Sequence, residues 1–236
     1  MPIPLLPAYP VGFPNPERAL SEPDGLLAAG GALTSEWLIE AYARGIFPWF
    51  DSDDEHILWW CPSERAVLQP GCMKVRKSLA KRIRNAGFHV TFDQCFTDVI
   101  TACSEPRAGA TGTWITPAMQ QAYISLHENT RLAHSVEVWQ DDRLVGGLYG
   151  ISLGQVFFGE SMFSRVSDAS QVGFYHLQRT LAEWDFLLID CQLENQHLMR
   201  LGVETISRRR FLTSLAHNDL ALTAPQRWAE VGVLSP

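Results

Sequence analysis

Apolar residues recur along this chain with two spacings, and from about residue 65 onward the spacing switches back and forth between them. Near the start, Leu38, Ile39 and Tyr42 predict a helix over residues 35–44, capped by Thr34 and stopped by Gly45. Residues 78–86 read as a second helix, ended by Gly87. In 88–92 the pattern becomes a strand, with Phe88, Val90 and Phe92 on one face. Phe96, Val99, Ile100 and Cys103 then return to the helical stripe, with Asp93 placed to cap it. Thr116-Pro117 opens a further helix carrying Met119, Ala122, Tyr123 and Leu126, because proline at the first helical position loses no hydrogen bond.

Three strands follow as a meander over 134–139, 144–151 and 155–163, with turns at Asp141-Asp142 and Leu153-Gly154. A helix over 168–184 leads into a buried-looking strand at 186–191. Short helices at 195–201, stopped by Gly202, and at 207–217 complete the pattern. Hairpins followed by helix, strand and helix predict an α+β class with a mixed sheet. Residues 1–64 are dense in Pro, Gly and Trp, so the expected division is a small N-terminal domain, 1–64, and a larger domain, 65–236.

Composition narrows the class. Hydrophobic content of 46% with 19% charged residues is that of a folded chain. No stretch approaches the ~18–20 apolar residues of a membrane span. The five cysteines include no Cys-x-x-Cys pair, which argues against a disulfide framework and a structural zinc site. The N-terminus lacks the basic start and apolar block of an export signal, so a cytoplasmic protein without metal or cofactor is expected. Net charge is −7. Yet Lys74, Arg76, Lys77, Lys81, Arg82 and Arg84 lie within 74–84 with no acidic residue between them. A merely solvated helix face mixes signs, so this run points to a phosphate partner. Arg208-Arg209-Arg210 is a weaker candidate for the same role.

Candidate chemistry is sparse. The chain has no Gly-x-Ser-x-Gly elbow, His-Glu-x-x-His pair or phosphate-binding Gly-x-x-x-x-Gly-Lys loop. If the strands are regular, Asp190 and Gln192 share one face, and Phe158, Glu160 and Met162 share another. Convergence of those faces would bring together two carboxylates, an amide and apolar walls; strand-end residues bonding nearby backbone would explain the same acids without chemistry. Trp49, Trp59, Trp60 and Trp114 sit near proline and glycine. An exposed tryptophan can stack an unpaired base for roughly 1–3 kcal/mol, whereas core packing accounts for most such residues.

Several segments resemble the signatures of the bacterial leucyl/phenylalanyl-tRNA–protein transferases. They are Gly159-Glu160-Ser161-Met162-Phe163-Ser164-Arg165, Ile189-Asp190-Cys191-Gln192, Arg44-Gly45-Ile46-Phe47-Pro48-Trp49-Phe50, Trp59-Trp60 and Gly112-Thr113-Trp114-Ile115-Thr116. The opening from Phe13-Pro14 through Glu22-Pro23-Asp24-Gly25-Leu26-Leu27 matches as well. Departures are Ala32 after Gly30-Gly31, Cys61, and a poorly matching stretch after about Ala216.

The resemblance implies an acetyltransferase-like (GNAT) sheet domain beside a small N-terminal domain. The implied activity is transfer of leucine or phenylalanine, and sometimes methionine, from its tRNA to proteins beginning with Arg or Lys, marking them for N-end-rule degradation. By the same resemblance Asp190, Gln192 and Glu160 are catalytic, and Phe158, Met162, Phe174 and Ile189 line an aminoacyl pocket. Trp49 or Trp114 would stack the tRNA's terminal adenosine, while residues 74–84 meet its phosphates. Two rivals stand beside it. An acetyl-CoA-dependent acetyltransferase needs a Gly-rich pyrophosphate loop, which Ser164-Arg165-Val166-Ser167-Asp168 does not supply. A non-catalytic tRNA-binding module leaves Glu160, Asp190 and Gln192 without a task.

Overall fold

Short polar-interrupted segments in the first sixty residues form strands that no alternation announces. In the computed structural model, which describes residues 3–106 and 113–234, they build a four-stranded sheet. Its strands are β1 (Leu5–Leu6), β2 (Leu26–Gly30), β3 (Phe47–Pro48) and β4 (Leu58–Trp60), ordered β1-β2-β4-β3. At two to five residues each, they are too short to show a period of two. Helix α1 (Ser35–Ala43) is where the sequence put it, with the Thr34 hydroxyl accepting from the Trp37 amide.

The larger sheet has seven strands: β5 (Glu64–Leu68), β6 (His89–Phe92), β7 (Ala133–Gln140), β8 (Arg143–Leu153), β9 (Val156–Ser164), β10 (Leu188–Asp190) and β11 (Glu204–Ser207). Their order is β11-β5-β10-β9-β8-β7-β6. The predicted meander is β7-β8-β9, antiparallel throughout. The β9–β10 pair is parallel, and the crossover between them is α5 (Ala169–Glu183). The remaining helices are α2 (Lys77–Asn85), α3 (Phe96–Ser104), α4 (Pro117–Thr130), α6 (Gln196–Arg200), α7 (Arg208–Ala216) and α8 (Gln226–Ala229). The α+β class and mixed sheet are therefore as expected. β5 and β11 were not, since each is short and mixes charged with apolar residues.

Asp93 does not cap α3. Its own backbone is left-handed (φ 55°), and its carboxylate accepts from the Ser135 amide at 2.9 Å and pairs with His134 Nδ1 at 2.7 Å, tying β6 to β7. Cys95 occupies the cap position without a side-chain bond.

Two apolar clusters cover the two faces of the large sheet. One joins Trp37, Leu38 and Tyr42 of α1 to Tyr149, Phe158 and Phe211, so the small sheet and the large one share a core. The other gathers Leu148, Phe157, Phe174, Leu177 and Ile189. One irregularity decides what faces where. Tyr149 stands opposite Ser161 and Gly150 opposite Gly159, leaving Glu160 as an extra residue bulged out of β9.

Candidate active site

A cavity of about 630 Å³ lies where β10 stops and its parallel neighbour β9 runs on. Met162, Phe174, Leu177 and Ile189 make its apolar wall, and Trp49 and Trp114 line it from other elements. The surroundings of Trp49 come from the small sheet, where Trp60 Nε1–H donates to the Trp49 carbonyl at 2.7 Å. Trp49 is 38% exposed and Trp114 half-buried, which leaves ring surface free in both. Gly112, the first residue of the Trp114 segment, lies outside the described residues.

The bulge at Glu160 overturns one expectation. An extra residue inverts the alternation beyond it, so Phe158 and Met162 do not share a face. Phe158 is fully buried on the opposite side of the sheet against the Tyr42 ring, 5.2 Å away. Phe157 lines the cavity in its place, together with Met162. A bulge leaves no mark on hydrophobic periodicity; the only hint was Gly159 within the strand.

β10 ends at Asp190, and this separates two residues that alternation had placed together. Gln192 turns left-handed (φ 53°), and its backbone N–H donates to Asp190 Oδ1 at 2.9 Å. Its side chain enters the cavity, as does that of Cys191, which alternation had put on the other side. Asp190 is sealed beneath. Both its oxygens accept from Arg65, at 2.8 Å from Nε and 2.7 Å from Nη2. Arg65 is itself fully buried, donates from Nη1 to the Gly45 carbonyl at 3.0 Å, and lies between the rings of Phe47 and Phe211. Sequence reasoning passed over Arg65; its signal was a lone arginine beside the apolar run Ala66-Val67-Leu68.

Glu160 sits in different company. Its Oε1 accepts from Gln192 Nε2 at 3.0 Å and its Oε2 from the Tyr123 hydroxyl at 3.0 Å, with the Tyr42 hydroxyl bonded to Tyr123 in turn. Burial pushes its pKa from 4.5 up to about 7, against the lowering effect of the tyrosine hydrogen bonds. The Asp190 charge adds to the rise and Arg65 opposes it. Burial, reinforced by the Glu160 charge, raises Tyr42, Tyr123 and Tyr149 well above the usual phenol, so they remain protonated. Burial and the Asp190 charge likewise push Cys191 up, which keeps it a neutral thiol beside Gln192.

On α2 and the turn before it, Lys74, Arg76, Lys77, Lys81 and Arg84 are exposed, and among the described residues no carboxylate lies within 4.0 Å of any of them. Arg82 differs. It donates to the Ser167 carbonyl at 2.9 Å, pairs with Asp168 at 4.0 Å and covers the Phe88 ring. The run adjoins the cavity through His197, whose pKa is lowered by burial first and then by the charges of Arg76 and Arg200. Arg208 is held by the Pro62 carbonyl, while Arg209 and Arg210 are exposed. Among the described residues no group of three His, Cys, Asp or Glu is arranged to hold a metal ion, and no helix is long and apolar enough to cross a membrane.

Residues 67–216 match a family model described as leucyl/phenylalanyl-tRNA protein transferase, and residues 31–63 match that family's N-terminal domain. The chain is 60% identical over 223 residues to the leucyl/phenylalanyl-tRNA–protein transferase of Chromohalobacter salexigens, covering 94% of this chain and 85% of that one. It is 54% identical to the enzyme of the same name from Azoarcus sp., covering 92% of each. Among solved structures, a GCN5-related N-acetyltransferase from Kribbella flavida aligns with a TM-score of 0.35 at 12% identity, covering 69% of this chain and 57% of that one. A likeness that distant says nothing of function.

Proposed function

The chain belongs to the leucyl/phenylalanyl-tRNA–protein transferase family, and we propose on that footing that it moves leucine, phenylalanine or methionine from tRNA onto proteins beginning with Arg or Lys, marking them for N-end-rule degradation. Membership makes it an aminoacyltransferase. The observation that carries the finer reading is the Gln192–Glu160 hydrogen bond at the wall of an apolar cavity.

Aminolysis of an aminoacyl ester needs no covalent intermediate with the enzyme. The α-amine, with a pKa of about 8, attacks the ester carbonyl; the C–N bond forms, the C–O bond to the ribose breaks, and the leaving ribose oxygen takes up a proton. The protein's task is to align amine and carbonyl. Because Gln192 Nε2 is spent on Glu160, its carbonyl oxygen is the free end and accepts from the attacking amine. An amide is too weak a base to keep that proton, so Gln192 orients. Asp190 acts one step back, fixing the Gln192 backbone while Arg65 fixes Asp190. Ionised Glu160 favours a cationic Arg or Lys acceptor.

The transferred side chain rests against Met162, Phe174 and Ile189, with Phe157 in the part the sequence had assigned to Phe158. Methionine's flexible thioether suits a wall that must accept both Leu and Phe. Trp49 or Trp114 stacks the terminal adenine, and the exposed cations of 74–84, Arg82 apart, meet acceptor-stem phosphates. Residues 1–64 act as a small domain supplying Trp49, and 65–236 carry the chemistry. Cysteines not joined in disulfides suit the cytoplasm. The test is transfer of labelled leucine from leucyl-tRNA to an Arg-initiated peptide. Gln192→Ala should lower kcat by about 100-fold with little change in tRNA affinity, and an unchanged kcat would remove Gln192 from the site.

A further inference from the structure

Behind the aminoacyl cavity lies a second one of about 270 Å³, bordered by Ser152, Gln155, Trp184, Phe186, Arg227 and Trp228. Two rings in tilted contact stand between them. Phe157 lines the first cavity, Trp228 lines the second, and their centroids are 5.5 Å apart with the planes 30° from parallel. Trp228 belongs to α8, in a tail beyond residue 216, where the match to the family model ends.

That tail is anchored along its length. The Asn218 side chain accepts from the Gln155 amide at 2.7 Å and donates to the Leu153 carbonyl at 2.9 Å. The Thr223 hydroxyl accepts from the Gly154 amide at 2.7 Å, and Leu234 exchanges two backbone hydrogen bonds with Val90 at 2.9 Å. Between these anchors Trp228 is 1% exposed. It is stacked on His134 at 4.1 Å and met edge-on by Trp184 at 5.3 Å. On its other edge Phe157 is confined by Gly150, where an added Cβ would lie 2.6 Å from the ring. Away from the first cavity, the Phe157 ring backs onto Trp228.

We propose that Trp228 sets the depth of the aminoacyl cavity by backing Phe157, so that the tail helps determine which amino acid is transferred. Trp228 is a positioning residue, acting through Phe157, and the inference rests on the aminoacyl reading of the first cavity. Shrinking Trp228 lets the Phe157 ring move back into space continuous with the second cavity, and the first deepens. A deeper apolar pocket gains more from phenylalanine than from leucine, and discrimination by a single methylene in such a pocket is already worth roughly ten- to two-hundredfold.

The experiment compares kcat/KM of the full chain for leucyl-, methionyl- and phenylalanyl-tRNA with one Arg-initiated peptide, in wild type, Trp228→Ala and Trp228→Phe. The Phe-to-Leu ratio is expected to rise about tenfold in Trp228→Ala and less, in the same direction, in Trp228→Phe, with KM for the peptide unchanged. A purely structural role would lower all three rates together, and an unmoved ratio in the folded variants overturns the inference. If Trp228→Ala does not fold, Trp228→Phe decides alone. A wild-type chain that transfers none of the three amino acids overturns the aminoacyl reading itself, and the inference with it; an active wild type with unmoved ratios overturns only the role of Trp228.

Discussion

Asp190 and Glu160 sit on neighbouring parallel strands, yet the protein treats their two carboxyl groups in opposite ways. Asp190 is closed off from solvent, and both its oxygens are matched by one guanidinium that is equally buried. Glu160 faces a cavity and is met by an amide and a phenol, neither of which carries a compensating positive charge. A charge-matched carboxylate is committed to one geometry and one partner. One held by neutral donors keeps a choice of state near neutral pH, as the rise of Glu160 to about 7 expresses. Compensation fixes structure, and its absence leaves room for chemistry.

The largest effect should come from breaking the compensated side. Asp190→Asn leaves Arg65 buried without its counter-charge, and losing one partner of such a pair costs about 3–5 kcal/mol. Urea denaturation should show the midpoint falling accordingly, with activity lost through unfolding. Asp190→Leu combined with Arg65→Met, which removes both charges, should recover much of that stability. If Asp190→Asn keeps its midpoint and loses only kcat, Asp190 is itself chemical and the contrast with Glu160 fails.

Glu160→Gln probes the other side with a smaller effect, confined to a pH window. Because burial raises the folded-state pKa from 4.5 to about 7, the folded chain binds this proton more tightly than the unfolded one. The stability it confers is fully present below about 4.5 and lost as pH rises through about 7. Wild type should therefore lose stability across that window, and Glu160→Gln should flatten the profile. In the transfer assay, wild-type KM for an Arg-initiated peptide should fall as Glu160 ionises above pH 7, a step absent from the variant. Parallel profiles in the two proteins would mean that Glu160 does not titrate in this range.

How much of this arrangement the sequence disclosed depends on range. Local periodicity located α1, α4 and the β7–β9 meander, because a stripe such as Met119, Ala122, Tyr123 and Leu126 is written in consecutive residues. It set Glu160, Asp190 and Gln192 beside apolar strand runs, which suited a site or plain strand-end bonding equally, and only the family resemblance gave them a catalytic part. It misjudged directions, since a bulge at Glu160 and the left-handed turn at Gln192 each break the alternation from which facing is inferred. Arg65 stayed hidden for another reason. Its partner is 125 positions away, and its burial is intelligible only once β5 and β10 are adjacent. The tail was equally mute, because Trp228 matters through Phe157, a neighbour in space alone.

The same distinction between matched and unmatched charge runs through α2 at lower stakes. Lys77, Lys81 and Arg84 are exposed and, among the described residues, have no carboxylate within 4.0 Å, whereas Arg82 is engaged with Ser167, Asp168 and Phe88. Exposed cations without a carboxylate partner contribute little to the fold, Arg84 at the end of α2 about 0.3–1 kcal/mol through the helix dipole, so reversing them should move the denaturation midpoint only slightly. Their effect should surface in tRNA binding, where taking one cation away from a phosphate lowers the slope of log affinity against log salt by roughly one. Lys77→Glu, Lys81→Glu and Arg84→Glu together should therefore flatten that slope measurably while affinity falls most at low salt. Arg82→Glu alone should invert the pattern, shifting stability more than slope, because its charge is already spent inside the protein. A slope unchanged by the triple reversal would assign these cations to solvent, and unpaired charge on α2 would then signal nothing about a partner.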